Sequence, residues 1–199
     1  DCAAGSAGPS VVVPGPVAGR AATAHDGPPA RAVVAFKEGG ARGLAAPLGA
    51  MLAAAVLDLI AETRRPAGEP VWLVPVPARP EARRRRGADH MIVLADRAAR
   101  GLRARGVPAH RCAALVHARP SSDQVGLSAQ ARRENVHRTL RAGQVPNGLL
   151  VLVDDVTTTG ATLGEAARAL LAATGRTALA ATLTRANATP HLASGRRRD

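Results

Sequence analysis

Two adjacent carboxylic acids, Asp154 and Asp155, close the apolar run LLVLV at 149–153, and a hydroxyl-rich turn follows them: Thr157, Thr158, Thr159, Gly160, Ala161 and Thr162. Burying a carboxylate is costly unless it is paired or hydrogen-bonded, so two side by side imply a compensating partner. Side chains diverge where a strand leaves its sheet, and both acids can there accept hydrogen bonds from the neighbouring hydroxyls of a vicinal diol. The turn leads into an Ala/Leu-rich helical stretch, whose first N–H groups and dipole favour an anion. Gly160 lets the backbone approach closely or take positive φ. A diol with a phosphate near it describes a ribose 5-phosphate. Helix capping accounts for one Ser, Thr or Asp, but not for two acids, a run of threonines and a glycine in one turn. Neither a GxxxxGK[ST] loop nor a GxGxxG fingerprint is present.

These residues need a scaffold. Apolar residues recur at helical spacing through 43–63, from Leu44 and Leu48 to Leu59, and again from Met91 to Leu102. Shorter helices are expected at 30–36, ended by Gly39–Gly40, at 162–173, and from Ser128, an N-cap candidate. Strands are expected at 20–24, 71–76, 113–117, 149–153 and 177–184, with loops at 77–87 and 119–127. Strands separated by helices predict an α/β fold, a mostly parallel sheet flanked by helices. Such sheets bind ligands beyond the carboxyl ends of their strands, which singles out the loops after Val76 and Val153. Residues 1–19 read as a flexible Ala/Gly/Pro-rich lead, 20–190 as one domain and 191–199 as a basic tail.

Composition narrows the classes. The chain has 199 residues and is 46% hydrophobic, enough for a core, which must be built from Ala, Leu and Val because Phe36 and Trp72 are its only aromatic residues. Net charge is +12, carried by arginines and a single lysine, Lys37. Basic chains bind polyanions, but the scarcity of aromatics argues against a base-stacking platform. Arg83–Arg86 fits a solvated face, a grip on nucleic-acid phosphates or a pyrophosphate loop. Cys2 and Cys112 form no four-cysteine zinc site or disulfide framework, and point to a reducing, cytoplasmic setting. The uncharged stretch 44–57 falls short of the roughly 18 residues of a membrane span. The histidines show no metal-ligand spacing and read as surface or satisfied groups; no metal ligand is expected among the side chains.

VLVDDVTTTGAT resembles the ribose-phosphate signature of type I phosphoribosyltransferases. AFKEGG at 35–40, VPVPARPEARRRRG at 74–87 and RPSSDQVGLSAQARRENV at 119–136 resemble, in order, the pieces of one branch, the ComF family associated with competence for DNA uptake. The resemblance implies the phosphoribosyltransferase fold, with Mg²⁺ and 5-phosphoribosyl 1-diphosphate (PRPP) as ligands, and pentosyl transfer as the activity. It implies that Asp154 and Asp155 contact the ribose hydroxyls and that residues 157–162 hold the 5-phosphate. Arg79 and Arg86 would face the pyrophosphate, and 119–135, with Gln124, Arg132 and Arg133, would form a mobile loop. Lys37 matches a family lysine. Partners consistent with the resemblance are competence proteins, single-stranded DNA and a second copy in a homodimer. A non-catalytic PRPP sensor or DNA-uptake partner on the same fold is the alternative. Two departures stand out. Ala88, Asp89 and His90 occupy the family's usual Phe-Asn-Gln, and of the family's N-terminal four-cysteine zinc ribbon only Cys2 remains, so zinc is not expected.

Overall fold

The computed structural model describes residues 11–13, 15–86, 89–118 and 139–186, without the side chains of Val11 and Arg86. Strands β1 (Val11–Val12), β2 (Gly19–Ala24), β3 (Val71–Pro75), β4 (Ala109–Arg111), β7 (Leu149–Thr157) and β8 (Leu179–Arg185) form one sheet in the order β1-β2-β8-β7-β3-β4. Pairing is parallel from β2 to β4 and antiparallel only between β1 and β2. Strands β5 (Leu115–His117) and β6 (Leu140–Ala142) make a separate antiparallel pair. The helices are α1 (Gly27–Glu38), α2 (Ala45–Ala61), α3 (Pro80–Arg86), α4 (His90–Arg103) and α5 (Ala161–Thr174).

The central strands β3 and β7 are near-continuous apolar runs, as a strand covered on both faces must be. One face packs Val151 and Val153 against Leu52 and Val56 of α2 and Leu94 and Leu102 of α4. The other packs Leu150 and Leu152 against Leu163 and Leu170 of α5, with Leu115 and Leu140 of the small pair. The core is Ala, Leu and Val, as composition requires. Buried Glu165 holds the small pair to α5: it accepts from Leu140 N at 3.1 Å and from Arg168 Nε at 2.7 Å.

Four expectations need correction. Residues 77–87 are not all loop, because α3 begins at Pro80, whose fixed φ suits a first turn, and continues through the good helix formers Ala82 and Arg83. Part of the lead is packed, since Val11–Val12 pairs with β2 and the apolar Val13 and Val17 are buried. The three-residue strands β4 and β6 were too short to carry a periodic signal. Finally, with its leading 3-10 turn the stretch Arg42–Ala61 is 20 residues long with a mean hydropathy of 2.0, so by length and composition it could cross a membrane. In this fold it is half buried, and its apolar face packs on the sheet and α4.

The α2–α4 contact closes on Gly49, where a Cβ would lie 2.3 Å from Arg97 Cβ. Gly49→Val is expected to force the helices apart and cost about 2–3 kcal/mol, read as a lower urea midpoint with an unchanged m-value.

Candidate functional site

Strand β7 does not end at Val153. It runs through both acids to Thr157, because β8 continues alongside and offers Thr182, Thr184 and Arg185 as register partners of Asp154, Val156 and Thr157. The acids therefore alternate across the sheet, as neighbours in a strand do. Asp154 borders the depression at the start of α5, whereas Asp155 meets groups from α1 and α4 on the opposite face.

On the α5 side, Thr158 and Thr159 are exposed at the turn, and Gly160 is buried with φ 74° and ψ 7°, the left-handed conformation glycine favours. This kink swings the chain from β7 into α5. Gly164 N donates to Gly160 O at 2.8 Å, which leaves the amides of Ala161, Thr162 and Leu163 ahead of the first helical bond. A depression of about 60 Å³ lies among these amides, the threonines and Asp154. It is backed by the N-terminal segment: a Cβ on Gly15 would lie 3.1 Å from Thr159 O, and one on Gly164 would lie 2.8 Å from Pro16 Cγ. The turn expected at 157–162 is thus brought together with Asp154 around one depression.

On the other face Asp155 is buried and triply held. Lys37 Nζ lies 2.7 Å and His90 Nε2 2.8 Å from its Oδ2, while Val156 N donates to its Oδ1 at 2.8 Å. Burial alone would raise its pKa, but the hydrogen bond from His90 and the charge and hydrogen bond of Lys37 together outweigh it. They hold the carboxyl well below the usual carboxylate range. Asp154 moves the other way. The protein packed around its carboxyl, and next the charge on Asp155, push it up to about 8, against the opposing hydrogen bond from Asp155 N. The two acids thus divide their roles: Asp155 holds the charge and Asp154 the proton near neutrality.

Lys37 and His90 meet at Asp155, although the sequence leaves Lys37 open and reads His90 as a surface or satisfied group. Their signals were the match of Lys37 within AFKEGG and the break in the family pattern at Ala88–His90. The break has a local reason. Asp89 caps α4, accepting from Met91 N at 3.1 Å, and also accepts from Ala78 N at 3.1 Å, which ties the start of α4 to the loop after β3. His90 is thereby aimed at Asp155, with Phe36 edge-on to its ring at 6.5 Å. The other described histidines are satisfied or surface groups: His25 meets Thr184 Oγ1 at 2.7 Å, His117 meets Pro77 O at 3.2 Å and His110 lies against Trp72.

Arg79 stands exposed before α3 and lines a cleft of about 260 Å³ with Thr162, so the loop after β3 and the threonine turn face one space. Arg86 ends α3, but its side chain lies outside the described residues, as do Gln124, Arg132 and Arg133. Arg83, Arg84 and Arg85 are exposed, with Arg84 paired to Glu81 and Arg85 to Glu38. Among the described residues no group of three or more His, Cys, Asp or Glu is placed to hold a metal. A scan against family models and a search of curated proteins found no match for the chain.

Proposed function

We propose that the chain is a ComF-like phosphoribosyltransferase, which binds PRPP with Mg²⁺ and transfers the phosphoribosyl group to an acceptor. The observation that carries this reading is the depression at the turn 157–162, beside Asp154 at the carboxyl edge of a parallel sheet, which we read as an anion cradle. A 5-phosphate in the cradle leaves its ribose over Asp154, the acid on that face. The diphosphate then extends toward the loop after β3, where Arg79 offsets its charge. Mg²⁺ supplies charge neutralisation and a template when bound. The donor set fits an ion carried by its ligand's own oxygens and by water rather than by a protein cage.

In the reaction the acceptor's lone pair forms a bond to ribose C1 while the C1–O bond breaks, its electron pair leaving with pyrophosphate. The protein positions the sugar and excludes water from C1. A non-catalytic PRPP sensor is the second reading, favoured by one observation: Asp155 is already saturated by Lys37, His90 and Val156 N.

Calorimetric titration of PRPP with Mg²⁺ tests the site. Saturable binding is expected, and Thr158→Ala/Thr159→Ala should weaken it by about 100-fold, since two charge-assisted hydrogen bonds are lost. Both residues are exposed, and among the described residues only the long 3.4 Å bond from Ala161 N to Thr159 Oγ1 is lost, so the fold should hold. No binding by folded wild type, or equal binding by the variant, would remove the proposal. Binding without pyrophosphate release against any acceptor selects the sensor.

A further inference from the structure

Behind Asp155, on the face away from the cradle, α1, α3 and α4, with the turn before α2, line an open cleft of about 720 Å³. Ligand cavities are typically about 300–1,000 Å³. Lys37 and His90 line it and also hold Asp155, so it lies on the Asp155 side of the sheet. Its lining has two characters. Phe36 and Val93 give it an apolar wall, and Val93, 39% exposed, is one of few large aliphatic residues left facing solvent. Around that wall stand cations. Lys37 is engaged by Asp155 and Arg85 by Glu38, whereas Arg42 and Arg97, both exposed, have no ion-pair partner among the described residues. His90 Nδ1 is buried without a hydrogen-bond partner among those residues. Glu38 is the lone carboxylate in the lining among the described residues.

We infer that this cavity binds an organic anion with an apolar body, an aromatic carboxylate being the simplest of its class. The ring rests on Phe36 and Val93, and the carboxylate reaches Arg42 and Arg97. The inference is independent of the phosphoribosyl-transfer reading, since the lining includes neither acid and no residue of the threonine turn.

The test uses three compounds sharing one ring, namely phthalate, benzoate and benzamide, with two, one and no negative charges. Each is titrated into the full chain with and without PRPP and Mg²⁺. Affinity is expected to fall in that order, by about tenfold or more between phthalate and benzamide. Arg42→Gln/Arg97→Gln should abolish the preference while leaving PRPP binding and the thermal transition unchanged. Equal or absent binding of all three, or a preference that survives in the variant, overturns the inference. A charge preference in a protein that ignores PRPP removes the transferase reading and keeps the anion site. PRPP binding with no charge preference does the reverse.

Discussion

Asp155→Asn is expected to destabilise the protein by about 3 kcal/mol, since it leaves the charge of Lys37 and the ring of His90 at a largely buried position without the anion that offsets them. The loss sits at the low end for a broken buried pair because Lys37, 31% exposed, recovers some hydration. Urea unfolding should show a midpoint lower by about 1–2 M. Lys37→Met in the same background should return part of the loss, because removing both ends of an ion pair costs less than removing one. The pH dependence has a definite sign. The folded pKa of Asp155 is depressed, so its contribution is present above the unfolded value near 3.8 and disappears as pH falls through the folded value. The gap between wild type and variant should therefore narrow at acid pH. A gap that is unchanged in acid would mean that the ion pair is not its source.

Asp154→Asn should act oppositely on stability. A carboxyl whose pKa is raised to about 8 favours the fold fully below the unfolded value, and that contribution is lost as pH rises through the folded one. Wild type should weaken between about pH 4 and pH 8 while the amide does not, so at pH 8.5 the variant should be the more stable by about 2–4 kcal/mol. PRPP affinity should drop by about 10–100-fold in the same protein. Stability gained together with binding lost marks a residue kept for its ligand at the expense of the fold. If the variant binds PRPP as wild type does, Asp154 does not face the sugar.

Much of this site was legible in the sequence because its parts are local. The apolar run, the acids, the threonines and Gly160 are contiguous, and a strand–turn–helix unit is specified within its own segment. The end of β7 was misplaced because the acids read as the exit from the core. Only the register partner β8, with Thr182 and Thr184 buried beside it, extends the ladder past them. The arginine run hid a helix because Pro80 and a block of charge resemble a loop, although proline in a first turn is compatible with one. Lys37, His90 and Asp155 belong to three elements far apart in the chain, and no periodicity links them. Their meeting is a product of tertiary packing, set by the Asp89 cap and the seat of α1 beside β8.

The sheet order also has a kinetic meaning. β2 is made early, yet its parallel neighbour is β8, the last strand among the described residues, with Ala21 opposite Thr182. β7, which carries the acids, lies on the other side of β8. Closing so long a loop costs chain entropy before any contact repays it, and folds rich in such non-local pairs form slowly. During synthesis, β2 and α2 can pack on each other, and α2 on α4, but their sheet-facing contacts wait until β7 and β8 have emerged. The same late closure seats the threonine turn against Gly15 and Pro16, so that turn gains its backing only in the step that completes the sheet.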